Sequence, residues 1–252
     1  MYQYAILSKK GAARLHNEDA IQVQKGSYIN YKGTNEWLLA IISDGMGGHN
    51  AGEVASSTVS RYAPSLLQLH AMDIEKGSIY ELLERGINLA NAKILELANK
   101  RAEYTGMGAT VTMGFIVDDV MHIAHVGDSR IYYLSSTGFK QITVDQTKAH
   151  ELVESGEILA SDERKHPAHV LLTNYIGNDK LEKITHYNIK LEDSSKILFC
   201  TDGLHDVLTN DEIEAILKKD DLPEVLCKVL ISSVIEKEGD DDVSVVVIIN
   251  QK

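Results

Sequence analysis

The chain has 252 residues, 44% of them hydrophobic, enough to bury a substantial core in one compact unit. Its 25 Lys and Arg stand against 37 Asp and Glu, and the resulting net charge of -12 argues against nucleic acid or an anionic membrane surface as partner. The longest apolar run, Trp37 to Ile42, is far too short to cross a bilayer, and the amino terminus carries no apolar signal core. We expect a cytoplasmic monomer in which the two widely separated cysteines, Cys200 and Cys227, are buried structural thiols.

In chain order, Arg14-Leu15-His16-Asn17-Glu18-Asp19 sets a fixed cation ahead of two adjacent acids, just before the alternating stretch Ala20 to Val23. An arginine fork grips phosphate oxygens two at a time, although Arg14 and Glu18 taken alone read equally well as a surface ion pair. A strand-like run, Glu36 to Ser43, then delivers Asp44, followed by Gly45-Met46-Gly47-Gly48-His49. The glycines strip side chains from the backbone beside a carboxylate and leave carbonyls free to face an ion. Their spacing does not match a dinucleotide-binding loop, whose pyrophosphate a carboxylate at the mouth would repel.

Ile79, Leu82, Leu83, Ile87, Ala90, Ile94 and Leu97 follow the three-and-four spacing of a helix that lays one apolar stripe on a flat surface. Strands are predicted at Ala109 to Val117 and Val120 to Val126, the second leading to Asp128. The segment His150 to Pro167 is polar and charged, and a flap spanning about 148-176 and a plain surface excursion both fit it. Further strands, Lys196 to Thr201 and Val243 to Ile249, place Asp202 after the first and Asp241 before the second. Several of these strands are too apolar to have a wet face. With no repeat and no Pro-rich linker, the pattern predicts one domain over 1-252, of α+β class, with sheets layered against helices.

Any one of the four strand-end aspartates fits ordinary turn chemistry. Gathered in one cleft, they would raise one another's pKa, and such a cluster is stable mainly when cations occupy it. Oxygen-only donors suit hard ions such as Mg²⁺ or Mn²⁺. Hydrolysis of a phosphate monoester needs acceleration approaching about 10²¹-fold, whereas one general acid or base supplies about 10²-10⁴, so carboxylates alone fall short of a job that two metal ions can do.

The successive blocks Arg14 to Asp19, Asp44 to His49 with Gly52, Thr105 to Val111, His125 to Arg130, Thr201 to Gly203 and Asp241 to Ser244 together resemble the PPM (type 2C) family of metal-dependent protein serine/threonine phosphatases, in its bacterial form. The resemblance implies a four-layer αββα sandwich, two antiparallel sheets flanked by helices, with a dinuclear Mn²⁺ or Mg²⁺ centre at one end. It implies that Asp44 bridges the two ions, that the Gly45 carbonyl binds the second, that Asp202 and Asp241 hold the first, and that Glu18 coordinates through water. Asp19 is similar to an acid just behind the ligands, Arg14 to the phosphate-binding arginine, and Asp128 to the ligand of a third, weaker ion. The implied substrates are phosphoserine and phosphothreonine in proteins, the products of a serine/threonine kinase.

Three positions depart from the family pattern. Met46 replaces a histidine proposed as the acid for the leaving group, which leaves that acid unassigned. Asp242 replaces the usual Asn, adding charge beside Asp241, and Asn174 in Thr173 to Gly177 replaces a common Arg beside the expected flap. Among the ten histidines, His125 is expected to be structural and His166 is given no chemistry; Trp37 is expected in core or rim packing. Two rival functions are a phosphatase-like regulatory binding module without turnover, and a phosphodiesterase or other metallohydrolase.

Overall fold

The computed structural model describes residues 2-30, 33-47, 51-70 and 79-251. Gly48 and His49, part of the glycine segment after Asp44, lie outside the described residues. Among the described residues, one sheet has the order β1 (Tyr2–Lys9), β11 (Val243–Asn250), β10 (Lys196–Cys200), β7 (Arg130–Ser135), β8 (Gly138–Gln141). The other runs β2 (Asp19–Asn30), β3 (Gly33–Met46), β5 (Val111–Val117), β6 (Val120–Val126), β9 (Thr185–Lys190), with the short β4 (Gly108–Ala109) pairing on β3. Every pairing is antiparallel.

Alternate residues on a strand face opposite sides, and here both sides are dry. Leu38, Ala40 and Ile42 of β3 meet Ile197, Phe199, Val246 and Ile248 of the facing sheet. Leu39 and Ile41 point the other way, into a second core formed with α1 (Ala51–Tyr62), α2 (Ser65–His70) and α3 (Ile79–Lys100). A third core joins Val243, Val245 and Val247 of β11 to α5 (Asp202–His205), α6 (Asn210–Leu217) and α7 (Pro223–Glu236). Three apolar layers between four layers of structure make the αββα sandwich.

The stripe expected on α3 is buried from Ile79 through Ile94, with Leu97 packed at its margin. Strands β5 and β11 are buried almost end to end, which is why they carry no polar alternation. Cys200 and Cys227 are buried and free, and Trp37 packs on Phe115 with ring centroids 5.9 Å apart. No helix among the described residues is long and apolar enough to cross a membrane.

The structure differs from the predicted strands in one place that matters for the site. The run Ala109 to Val117 is broken at Thr110, whose amide donates to the carbonyl of Asp44 (2.8 Å) and whose hydroxyl accepts from the Asp44 amide (2.9 Å). Thr110 thus holds the backbone of Asp44 through its amide and its hydroxyl. Residues 148-176 form α4 (Lys148–Glu154) and two 3₁₀ turns, Ala160–Lys165 and Pro167–Val170. Thr147 caps α4, its hydroxyl accepting from the amide of His150.

Candidate metal and phosphate site

Residues far apart in sequence meet where β2, β3, β10 and β11 end. Asp19 lies opposite Asp44 in the β2/β3 register. The Asp44 and Asp202 carboxyls are close enough to perturb one another. Burial, then the charges of Asp202, Asp19 and Asp128, push Asp44 well above the ordinary carboxylate range. Asp128 is raised by burial and by Asp202 and Asp145, and Asp202 by burial against the opposing pull of His205. Asp19 is pushed up to about 8, chiefly by burial, even though Ser244 and Thr201 hydrogen-bond it.

Arg14 closes the cluster from the β1–β2 connection. Its Nε and Nη2 donate to the two oxygens of Asp241, each at 2.8 Å, and Nη1 donates to Glu18 at 3.1 Å. These bonds use three of the five N–H groups of the guanidinium, leaving two for another anion. Glu18 is buried, and desolvation lifts its pKa against the pull of Arg14. Asp242 accepts from the amides of Gly11 (2.9 Å) and Glu18 (2.7 Å), so its carboxylate ties the Arg14 loop to β11.

The glycines have a steric role. A Cβ on Gly45 would lie 2.0 Å from the carbonyl oxygen of Gly52, and one on Gly52 would lie 2.6 Å from Glu18 Oε1 and 2.8 Å from the Gly45 oxygen. Only glycine at both positions lets β3, α1 and Glu18 approach this closely, and the contact brings the Gly45 carbonyl beside a carboxylate. Gly127, just before Asp128, holds φ at +106°, a conformation that other residues rarely adopt.

The donor set suits hard divalent cations. It consists of oxygens throughout, and Asp19 Oδ1 and Asp202 Oδ1 are buried without a hydrogen-bond partner among the described residues. Among the described residues no three Asp, Glu, His or Cys side chains are already gathered into a cage around one point. Instead Asp241 and Glu18 turn onto Arg14, and Asp19 onto Thr201.

Of the expected site residues, Asp44, Asp202, Asp19 and Asp128 therefore form one interacting group, and Arg14, Glu18 and Asp241 a second beside it. Asp242 joins through the backbone it clamps. Beside Asp128 and Asp202 a cleft of about 340 Å³ runs out to Arg164 and His169 in the 3₁₀ turns and to Thr209 at the start of α6. His125 is structural: buried, bonded to Thr112 and to the Val144 carbonyl, and lowered to about 4 chiefly by burial. Asn174 is also structural, since its amide bridges Gln146 and Lys183. Sequence reasoning missed Thr110, His205, Asp206 and the buried Arg130–Asp145 pair (2.6 Å), whose residue types carry no periodic signal. The acidic turn Asp202-Gly203-Leu204-His205-Asp206 after β10 was the available hint for two of them.

The chain belongs to the protein phosphatase 2C family, whose profile matches residues 11–231 and so takes in every site residue named except Asp241 and Asp242. Among individual relatives, it is 29% identical over 95% of its length to the serine/threonine phosphatase stp of Listeria innocua, of which it covers 92%. The crystal structure of the Mycobacterium tuberculosis serine/threonine phosphatase PstP superposes over the whole chain and 99% of that one, with a TM-score of 0.84 and 30% identity. The serine/threonine phosphatase of S. agalactiae gives 0.87 at 28% identity, with full coverage of both chains. The catalytic domain of PstP has also been crystallised with two manganese ions; it gives 0.83 at 28% identity and covers the whole of this chain and 99% of that one.

Proposed function

We infer that the chain is a protein serine/threonine phosphatase that hydrolyses phosphoserine and phosphothreonine with two divalent cations held by Asp44, Asp202, Asp241, Glu18 and the Gly45 carbonyl. The observation that carries the reading is the mutual repulsion of Asp44, Asp202, Asp19 and Asp128, four acids drawn together at one end of the sandwich with two buried oxygens left unpaired. Natural folds rarely concentrate carboxylates in this way unless a cation relieves them. When bound, such ions lower the pKa of a water toward neutrality and offset charge on the phosphoryl oxygens.

The protein's own groups do the rest. Arg14 positions Asp241 and Glu18 and offers its two remaining N–H groups to the phosphate, fixing the monoester at the edge of the cluster. Thr110 fixes the backbone of Asp44, and Asp242 fixes the loop that carries Arg14 and Glu18. Asp128, bordering the cleft, is the ligand we assign to a third, weaker ion. Either Mn²⁺ or Mg²⁺ satisfies the donor set. The substrates are phosphorylated proteins made by a serine/threonine kinase; the protein acts as a monomer in the cytoplasm, where buried free thiols persist.

The test is phosphate release from a phosphothreonine peptide with and without Mn²⁺. We expect metal-dependent turnover, at least 10²-fold slower in Asp202→Asn and abolished by excess chelator. Full activity in either case overturns the mechanism. Binding of Mn²⁺ without turnover would make the chain a regulatory module, and faster cleavage of diesters than monoesters would make it a phosphodiesterase.

A further inference from the structure

The loop that carries Arg14 differs in character from the acids behind it. From Lys9 to Asn17 it holds no Asp or Glu, in a chain whose net charge is -12. Around Arg14 it exposes apolar groups instead, those of Ala12, Ala13 and Leu15. Leu15 is 88% exposed and packs into none of the three cores. An exposed leucine is ordinary on a protein surface, so its setting decides what it does. Here hydrogen bonds brace the loop along its length. Asp242 holds the amides of Gly11 and Glu18, and Lys10 Nζ donates to the carbonyls of Gly11 and Arg14. The Arg14 amide donates to the Gly11 carbonyl at 3.3 Å. Asn17 Nδ2 donates to Ser8 Oγ at 2.7 Å, while its side-chain oxygen accepts from the amide of Asp19 at 3.0 Å. Leu15 therefore stands in a fixed relation to the two N–H groups of Arg14 that Glu18 and Asp241 leave for an anion.

We propose that Leu15 is a specificity-determining residue, which packs on an apolar side chain next to the phosphoserine or phosphothreonine of the substrate. The proposal rests on Arg14 being the phosphate ligand. Consecutive Cα atoms lie about 3.8 Å apart both in this loop and in a bound peptide, so a phosphoresidue gripped by Arg14 brings its chain neighbour within reach of Leu15. Because the loop is already ordered, the contact keeps the hydrophobic gain that ordering would otherwise consume. An acidic neighbour is served less well. Lys10 is taken up by its two carbonyls, which leaves Lys9 to attract such a residue against the carboxylates of Glu18 and Asp241 that repel it.

The experiment uses the full chain with Mn²⁺ and three phosphothreonine peptides that differ only in the two residues flanking the phosphothreonine, which are leucine, serine or glutamate. Each is read by kcat/KM and, with a non-hydrolysable phosphonate in place of the phosphate, by Kd from fluorescence anisotropy. We expect the parent to favour the leucine peptide over the serine peptide by about tenfold in both readouts, the low end of what one apolar contact contributes to discrimination. In Leu15→Ser that ratio should fall to about one, and Leu15→Met, which keeps the apolar surface, should restore most of it. A merely structural role for Leu15 would loosen Arg14 and weaken all three peptides equally, leaving the ratio as it was. An unchanged ratio in Leu15→Ser overturns the proposal, as does a parent that prefers glutamate or does not discriminate. The binding readout needs no turnover. Preference in binding without hydrolysis would undo the phosphatase reading and leave the contact standing, whereas hydrolysis without preference would do the reverse.

Discussion

Asp242 shows how a single side chain can serve a site without touching its ligand. Both of its oxygens accept backbone amides, from Gly11 and from Glu18, and an asparagine can offer only one acceptor to that pair. We therefore expect Asp242→Asn to lose about 1-3 kcal/mol in a urea melt, the scale of one buried amide left unsatisfied. Equal stability of the two proteins would show the clamp to be unimportant. The same residue illustrates what was and was not legible in the sequence. Its acidic character is plain, but the sequence offers only added charge beside Asp241. Its partners, more than two hundred positions away, are fixed only by the β1–β11 pairing.

The pKa shifts give a second prediction at this scale. Asp19, Asp44, Asp128 and Asp202 all have folded-state pKa values raised above those of the unfolded chain, Asp19 to about 8. Between about pH 4 and 8 the folded protein therefore holds more protons than the unfolded one, and stability falls as pH rises through that window. In chelator, we expect the Tm to drop by several degrees from pH 5.5 to pH 8.5. Added Mn²⁺ should reverse the drop at the alkaline end, and a Tm that rises with pH in chelator would contradict the assignment.

At the scale of elements, the strands that carry the acids were readable because they are dry on both faces. The 3.6-residue period of α3 was equally clear. The break at Thr110 was not, since a β-branched residue inside an apolar run looks like more strand and only its two bonds to Asp44 reveal the turn. The strands β7 to β9 also went unread, because they are short and carry polar residues that pair across the sheet or face water. Packing between elements adds a test: Gly86 on α3 sits so close to the turn after α1 that a Cβ would lie 2.0 Å from the Ala63 carbonyl oxygen. Gly86→Ala should destabilise the fold by roughly 1-3 kcal/mol despite the better helix propensity of alanine. A more stable variant would show that the helices can part at little cost.

For the whole molecule, the two packed sheets act as a frame whose strand ends bring the acids to one edge. The αββα architecture followed from the family resemblance, whereas the order of apolar runs alone gave the α+β class with sheets layered against helices. What unites the account is that the acids at this edge exist to bind divalent cations. Calorimetric titration of the metal-free protein with Mn²⁺, in parallel with Asp44→Asn, tests that claim most directly. We expect two equivalents to bind the parent and the heat to be largely lost in the variant; absence of binding to the parent, or identical binding to both, would contradict it.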